Sequence, residues 1–579
     1  MIILYFILLL LQQLSLVLTD EIVWPILNST SQLAIRTQRD VSKLLPITQT
    51  EFSGLSLSSI FNHDGYSVNS LSSLYGFLSE GSQALMIDLY WNEFTSRWQL
   101  CPAPFPNNVT YNMNDVVDVS WNNQNYQCQP SLSTENIISI FNAYIRNTNT
   151  NLDANFIQIL LNLKSINYEK SNRTLTLENI YKPSDPNNYN IGNTTLNDTV
   201  TSLGSFIFTP QVLEQYQQDA VNSTQAISKF YNQSSILLPT IDTVLLTEYK
   251  RVMVSVVSNQ LVNSARLYQF TSDDKNTIFF NDTIPSVVHT TDTNDAELYC
   301  QTLFNAYNSS GVDVALFNNI SLTSAFRFIV DNEDHPFTPD ELARYIRCGY
   351  SALLNSTYTQ FNVSYNASES VADKLVGSSL WSWSDGQPIV INNTISNNQN
   401  DTLSNDNVAY NCVVLTESGW SMSNCYERHV IACQNESSRN DWKLEKTNKR
   451  NYFEIDKDDC PEGYIFSLPR SSTEMLSLIT TAKQQNVEYP IWIDLNDITV
   501  QGCFVSGGPY AQCPYQRTIT TNKFVRMIAP SFVVGVVVLA LMFLEKAFRT
   551  NPIQTNRKRY WKKAIQEYYE KNDYEGVPS

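Results

Sequence analysis

Three side chains in the amino-terminal part of the chain are of types that do acid–base chemistry: His63, Asp88 and Glu93. Asp88 lies in the apolar run "LMIDLY", and two carboxyl groups about 5.5 Å apart are the arrangement of a retaining glycosidase, with a wider spacing in inverting ones. A carboxylate buried without a partner is costly. The sequence therefore favours a structural role for Asp88, paired with Arg97 or Arg36, while the enzyme hypothesis keeps Asp88, His63 and Glu93 as catalytic candidates.

These residues lie in a region, 52–350, that alternates between strand-like and helix-like segments. We expect strands in "EFSGLSLSSIF", "ALMIDLY", "NFIQILLNL", "VMVSVVS" and "SAFRFIV", and helices in "VNSLSSLYGFLSE", "STENIISIFNAYIRN", "TPQVLEQYQQDAV" and "TPDELARYIRCGY". Apolar strands separated by helices predict a parallel sheet that is covered on both faces. A (β/α) barrel fits better than an open sheet, which would often carry a glycine-rich phosphate loop after its first strand. The predicted fold class is therefore α/β.

Length, charge and cysteines restrict the function classes. The chain has 579 residues, too many for one compact domain, and a net charge of −18. An acidic chain repels phosphate backbones, so we expect no direct nucleic-acid binding. All ten cysteines lie between Cys101 and Cys513, six of them after residue 411. This distribution indicates disulfide bonds formed in an oxidising compartment.

An uncharged apolar segment lies near each end of the chain, as in proteins that are targeted to or cross a membrane. Residues 1–19 are apolar and uncharged, as in a signal peptide; an uncleaved anchor is the alternative. Residues 527–544 contain no charge and would span roughly 27 Å as a helix, nearly the thickness of a bilayer core. A linker, 516–526, precedes them, and a tail, 545–579, with 8 basic and 5 acidic residues follows. Because the positive flank stays cytoplasmic, the sequence predicts a single-pass type I membrane protein of the secretory pathway.

Glycosylation sequons Asn-x-Ser/Thr are frequent on the predicted lumenal or extracellular side. Chance alone gives a considerable number in so asparagine-rich a chain, so the sequons support a glycoprotein without deciding it. The candidate sites are Asn28, Asn108, Asn172, Asn193, Asn197, Asn222, Asn232, Asn281, Asn308, Asn319, Asn355, Asn362, Asn366, Asn392, Asn400 and Asn435.

Two stretches, "EGSQALMIDLYW" and "LPTIDTVLLTEYKRVMVSVV", resemble parts of a phosphatidylinositol phospholipase C-like barrel, which we place at residues 20–375. The resemblance implies two histidines and paired acids at strand ends. Here Met86 takes the place of one acid beside Asp88, and no histidine occurs between residues 64 and 288. His63 lies near the position of the first histidine. The resemblance therefore implies a degenerate site, a pseudoenzyme.

The cysteine-rich region, 376–515, resembles parts of C-type lectin-like domains in "WSWSDGQP", in its cysteine spacing and in "WIDLND". Segment 380–390 could instead belong to the barrel. Ile389 and Met422 occupy places where a lectin calcium site needs oxygen ligands, and calcium requires about six of these, so we expect no metal or other cofactor. Short disulfide loops of the lectin kind suggest Cys412–Cys425 and Cys503–Cys513. Cys101–Cys128 would close an earlier loop, and the pairing of Cys300, Cys348, Cys433 and Cys460 stays open.

The whole chain resembles one family more closely. "LAIRTQRDVSK", "LYWNEFTSRWQLCPAPFPNN", "RCGYSALLN" and "LWSWSDGQP", followed by a cysteine-rich segment, one span and a basic tail, are similar to the fungal maintenance of telomere capping protein 6 family. The resemblance implies a single-pass type I membrane glycoprotein with a barrel-like ectodomain. The family name records a genetic link to telomere capping, not a chemistry.

These patterns favour a non-enzymatic membrane glycoprotein whose ectodomain binds a protein or glycan ligand and whose effect on telomere capping is indirect. A divergent phosphodiesterase or glycosidase is the first alternative, and a calcium-independent glycan-binding sensor is the second. In the tail, Trp561, Ile565 and Tyr568 fall on one helical face among basic residues. We expect this face to touch anionic lipid.

Overall fold

The structure, a computed structural model, describes two units. The first, Met1–Pro514, holds both the barrel and the cysteine-rich region, and the second, Tyr515–Ser579, holds the apolar helix. The described residues are 29–105, 112–167, 191–222, 238–264, 266–280, 286–289, 293–305, 317, 326–332, 334–355, 378–389, 411–515 and 521–571. The predicted signal peptide, 1–19, lies outside them.

A parallel sheet is the framework of the first unit. Its strands follow the order β7-β8-β6-β2-β1-β11-β10-β9, and β3 pairs with β2 in the antiparallel direction. Their bounds are β1 Ser53–Ser56, β2 Ala84–Asn92, β3 Arg97–Gln99, β6 Ile157–Ile166, β7 Ile207–Phe208, β8 Val252–Gln260, β9 Ser286–His289, β10 Arg327–Val330 and β11 Ser351–Leu354. A separate hairpin consists of β4 Val117–Trp121 and β5 Gln124–Cys128.

Helices of the barrel region connect these strands. They are α1 Ser29–Ser42, α2 Leu57–Asp64, α3 Leu74–Ser79, α4 Thr134–Asn147, α5 Pro210–Asn222, α6 Ser272–Thr277, α7 Thr293–Asn305 and α8 Pro339–Arg347. Local sequence explains where several begin: Ser133 forms a capping box at the start of α4, and Thr338 forms one before Pro339 at the start of α8. The expected alternation of strands and helices is present.

The two faces of the sheet belong to two hydrophobic clusters. Ile87 and Ile159 pack in the larger cluster, together with Phe141 of α4. Met86 and Leu160, which point the other way, pack in a second cluster that also contains side chains of β8, β10 and β11. Because strands far apart in the sheet order contribute to this second cluster, the sheet curls around it. The result is a partial TIM barrel, as the sequence predicts.

The first predicted strand is wrong over most of its length. In "EFSGLSLSSIF" only Ser53–Ser56 is extended, and α2 begins at Leu57. The reason is local: Ser56 keeps an extended backbone while its hydroxyl accepts a hydrogen bond from the Ser58 backbone N–H, which caps the helix.

The cysteine-rich region combines a mostly antiparallel sheet with an α-helix. Its six-stranded sheet has the order β13-β12-β17-β14-β15, with β16 paired to β14. The bounds are β12 Cys412–Leu415, β13 Trp420–Ser423, β14 His429–Asn435, β15 Trp442–Arg450, β16 Tyr464–Phe466 and β17 Ile491–Asn496, and helix α9 is Ser472–Gln484. This agrees with the expected α+β region; its likeness to lectins stays a prediction.

Five disulfides join the ten cysteines. Cys101–Cys128, Cys412–Cys425 and Cys503–Cys513 are the pairs expected from the sequence. The structure also assigns the pairs that the sequence left open, Cys300–Cys348 and Cys433–Cys460.

The second unit contains α10, Thr521–Lys571, a helix of 51 residues. Its stretch Ile528–Phe548 is the one helix among the described residues that is long and apolar enough to cross a membrane. The helix begins inside the predicted linker, 516–526, and continues past residue 544 into the predicted tail. The apolar face predicted in the tail is helical and exposed: Trp561 is 59% and Tyr568 68% accessible.

Candidate functional site

The carboxyl ends of the barrel strands are where enzymes of this fold place their catalytic groups. Asp88 of β2 lies there, opposite Asn162 of β6 in the parallel register. Asn162 Nδ2 donates to Asp88 Oδ1 at 2.7 Å, and Lys164 Nζ donates to Asp88 Oδ2 at 2.6 Å. The Asp88 side chain is 10% exposed and that of Lys164 29% exposed. Both carboxylate oxygens are thus bound, and the charge is neutralised by a lysine.

The partners predicted for Asp88 are wrong. Arg97 donates instead to the Gly192 carbonyl at 2.9 Å, and Arg36 donates to the Gly502 carbonyl at 2.7 Å. The actual partners come from β6, the strand that lies beside β2 in the sheet.

Two tyrosines complete the surroundings of Asp88. Burial, and then the negative charge of Asp88, raise the pKa of Tyr66 and Tyr90 well above the usual range. Lys164 Nζ lies 5.7 Å from the centre of the Tyr90 ring. Burial and the neighbouring charge therefore both favour the neutral phenols at this edge of the sheet.

Glu93 forms hydrogen bonds with residues that follow β8. Its side chain is fully buried, and its Oε1 accepts a hydrogen bond from Ser264 Oγ at 2.8 Å. Arg266 Nη1 donates to the Glu93 carbonyl at 3.2 Å. Because β2 stays extended to Asn92, the backbone covers about 13 Å between Asp88 and Asn92 before Glu93 is reached. These hydrogen bonds thus hold Asp88 through β6 and Glu93 through Ser264, which follows β8.

The third catalytic candidate, His63, lies in α2. Its side chain is outside the described residues, so the structure does not test its role.

A second polar cluster at the same edge was missed by the sequence analysis. Asp331, which follows β10, accepts from the Asn355 backbone N–H and, at 3.1 Å, from the Phe337 N–H. Ser58 Oγ donates to Asn355 Oδ1 at 2.7 Å. These bonds tie the exits of β1, β10 and β11 together, which is a structural role. No local pattern marks Asp331, because its partners are set by the sheet order.

The described sequons differ in their surroundings. Asn193 donates from Nδ2 to Thr134 Oγ1 at 3.0 Å, and Asn435 donates from Nδ2 to Asp441 Oδ2 at 2.8 Å. Asn197 and Asn355 are half-buried, and Asn222 ends α5. The remaining candidates lie outside the described residues: Asn28, Asn108, Asn172, Asn232, Asn281, Asn308, Asn319, Asn362, Asn366, Asn392 and Asn400. Glycosylation at each site stays a prediction.

Asp494 and Asp497, the two acids of "WIDLND", accept hydrogen bonds from backbone groups of nearby loops. Asp494 accepts from the backbone N–H groups of Gly507 at 2.8 Å and Gly508 at 2.9 Å, and Asp497 accepts from the Gly502 N–H at 2.8 Å. Across the described part of the chain, no three His, Cys, Asp or Glu side chains are grouped as metal ligands would be.

A cavity that is partly open to solvent lies at the opposite, amino-terminal end of the barrel strands. We call it the junction cavity. It is lined by Ile35, Gln38, Arg39, Ser42, Thr50, Glu51, Phe52, Ser53, Gly81, Gln83, Phe156, Ile241, Leu245, Ser379, Leu380 and Trp381. None of these residues is among the predicted catalytic candidates.

Segment 379–389 joins the barrel to the cysteine-rich sheet beside this cavity. The Trp381 backbone N–H and Ser382 Oγ both donate to Gln38 Oε1 of α1, at 3.2 and 2.9 Å. Trp383 pairs with Trp420 of β13. The segment that the sequence left unassigned therefore contacts both parts of the unit.

Glu51 lies at the same junction. Ser472 Oγ, at the start of α9, donates to Glu51 Oε1 at 2.6 Å. Burial raises the Glu51 pKa to about 7, although part of the side chain faces the cavity. Burial also raises the pKa of Glu474 and Asp494, and raises that of Asp497 to about 6.

These shifts predict a stability that falls as the pH rises. Between its usual pKa near 4.5 and its folded value near 7, Glu51 keeps a proton in the folded chain that the unfolded chain has lost. The free energy of unfolding should therefore decrease across this window, by on the order of 1–3 kcal/mol for Glu51. Glu51→Gln should flatten the decrease in chemical unfolding curves recorded from pH 4.5 to 8. An unchanged slope in this variant would show that Glu51 titrates normally.

Comparison with known proteins agrees with this architecture. The family model described as "MTC6 partial TIM-barrel domain" matches residues 25–382. "Maintenance of telomere capping protein 6" of Candida tropicalis is 64% identical, with 98% of each chain covered. The proteins of the same name from Candida dubliniensis and Komagataella phaffii are 57% and 29% identical; the first covers 96% of each chain, the second 96% of this chain and 97% of its own.

The chain belongs to the maintenance of telomere capping protein 6 family. The family model extends to residue 382, beyond the predicted barrel end at residue 375, and so includes Trp381 of the junction cavity.

Proposed function

We propose that this chain is a non-enzymatic, single-pass membrane glycoprotein whose disulfide-linked ectodomain binds a partner, and that it maintains telomere capping indirectly. The name that its relatives share supports a role in the maintenance of telomere capping. Five disulfides favour an oxidising compartment for the first unit, and the apolar stretch of α10 favours a single span. Telomeres lie on the other side of the membrane from such an ectodomain, hence the indirect role.

The observation that carries the non-enzymatic proposal is the Asp88–Lys164–Asn162 cluster. Both Asp88 oxygens are occupied by donors from β6, and Glu93 is bound elsewhere. A general base must be able to accept a proton from the substrate, and each oxygen of Asp88 already accepts a hydrogen bond within the sheet. Asp88 and Lys164 form a structural ion pair at the sheet edge where enzymes of this fold place their catalytic groups.

Substitution of Asp88 tests this proposal. Asp88→Asn keeps the shape and an acceptor oxygen but removes the charge, so we expect full rescue of the telomere-capping defect of a strain lacking the gene. Asp118→Asn, at an exposed position of β4, is the matched control. Protein level and thermal unfolding are measured in parallel. Loss of rescue by Asp88→Asn at normal abundance and stability would overturn the non-enzymatic assignment.

The predicted orientation has its own test. Eight basic residues follow residue 544, which should keep the tail in the cytoplasm. In sealed microsomes, added protease should remove a tag placed after Ser579 and spare the first unit, which endoglycosidase should shorten after the membrane is dissolved. A protected tag with a digested first unit would reverse the topology.

A further inference from the structure

We propose that the junction cavity binds a neutral sugar residue, contacted by the side chains of Gln83, Ser53 and Glu51. The inference goes beyond the proposed function, because it concerns the amino-terminal end of the barrel, away from Asp88. It would hold whether or not the ectodomain is an enzyme.

Part of the cavity wall is apolar and belongs to the core. Phe52, Phe156, Ile241 and Leu245 belong to the hydrophobic cluster inside the curled sheet, and each is buried or nearly so. Trp381 is 4% exposed and packs edge to face against Trp420. A pyranose has an apolar C–H face that can pack against such side chains.

Polar groups at the same walls are available to a ligand. The Gln83 side-chain amide and the Ser53 hydroxyl have no hydrogen-bond partner among the described residues, although Ser53 is 7% exposed and Gln83 half-buried. A hydrocarbon ligand would leave these groups unpaired, at a cost of about 1–3 kcal/mol each. Hydroxyl groups, which both donate and accept, would pair with them.

The charges of the cavity argue against an anionic ligand. Arg39 Nη2 donates to Asp40 Oδ1 at 2.7 Å, and Nη1 and Nη2 donate to the carbonyls of Ala154 at 2.5 Å and Asn151 at 2.9 Å. The guanidinium is thus engaged before a phosphate or carboxylate arrives. Arg39 and Glu51 are the charged side chains in the lining described above, and Glu51 would repel an anion when ionised.

Glu51 fits a hydroxyl-bearing ligand. Its Oε1 already accepts from Ser472, which fixes the carboxyl group at the cavity wall. Burial raises its pKa to about 7, so near neutral pH the carboxyl group is present both as a donor and as an acceptor. Together with the amide of Gln83, it offers the mixed donors and acceptors that a sugar ring requires.

The test uses the full chain in nanodiscs, treated with endoglycosidase so that its own glycans do not compete. The probes are the methyl glycosides of mannose, glucose and N-acetylglucosamine, each followed by saturation-transfer NMR and calorimetry. We expect at least one to bind with a millimolar Kd. A sample that keeps its glycans should bind the same probe more weakly if the natural ligand is its own glycan, and equally well if the ligand comes from another molecule.

Matched variants decide whether the binding is at this site. Gln83→Leu keeps the size of the side chain and should weaken the binding at least tenfold, whereas Gln127→Leu, on exposed β5, should leave it unchanged. Ser53→Ala, the smaller change, should weaken it several-fold and serves if Gln83→Leu does not fold. Binding that survives both substitutions, no binding of any glycoside, or tighter binding of glucose 6-phosphate than of the glucoside would overturn the inference. The rescue assay of Asp88→Asn is independent of all these outcomes.

Discussion

Gly54→Ala should disrupt the barrel. A β-carbon at Gly54 would lie 2.0 Å from the Ala84 carbonyl oxygen and 2.6 Å from its carbonyl carbon, far inside any contact distance. The atoms in the way belong to the backbone of β2, so no side chain can rotate to make room. The strands cannot easily move apart, because Gly54 is paired with Ala84 of β2 on one side and with Leu353 of β11 on the other. We expect a loss of about 3 kcal/mol, at the upper end of the usual cost of overpacking and a large fraction of the stability of a typical domain.

The measurement is the thermal and chemical unfolding of the full chain in detergent, followed by near-ultraviolet circular dichroism. Gly535→Ala is the matched control, since a β-carbon there meets no atom within 4 Å and the residue lies in α10. That variant should stay within about 0.5 kcal/mol of the parent. If Gly54→Ala were equally silent, β1 would not pair as closely with β2 as the structure shows.

The strands with the clearest apolar runs could be predicted from sequence, and the reason is visible in β2, β6 and β8. Their residues are buried on both faces, in two clusters, so the sequence shows nearly continuous apolar segments. "EFSGLSLSSIF" shows the limit of this reading. The sequence predicts a strand over the whole stretch, but the Ser56 hydroxyl accepts a hydrogen bond from the Ser58 N–H and so caps a helix that begins at Leu57.

The sites were harder to predict, because their residues meet only through the sheet order. Asp88 was correctly expected to need a buried partner, but the choice of Lys164 over an arginine depends on the pairing of β2 with β6. The junction cavity combines α1, the entrances of three strands and residues 379–381. Nothing in the local sequence around Gln83 indicates that Trp381 lies at the same cavity.

Loss of the Cys300–Cys348 disulfide should be the most damaging of the five disulfide deletions. Cys300 lies in α7 and Cys348 at the end of α8, and both are fully buried. The bond closes a loop of 48 residues, the longest among the five pairs. In the chain-entropy description, removing a cross-link over this separation costs about 4 kcal/mol. The double variant Cys300→Ala, Cys348→Ala avoids leaving a reactive thiol.

The double variant Cys503→Ala, Cys513→Ala is the matched control, because both of its cysteines are also buried and its separation is 10 residues. The same relation gives about 2.7 kcal/mol for it. The free energy of unfolding, measured with guanidinium under non-oxidising, non-reducing conditions, should therefore be highest for the parent. It should be lower for the Cys503 pair variant and lowest for the Cys300 pair variant. The reverse order would mean that α7 and α8 stay associated without their bond. Packing of these helices, rather than restriction of the unfolded chain, would then close this side of the barrel.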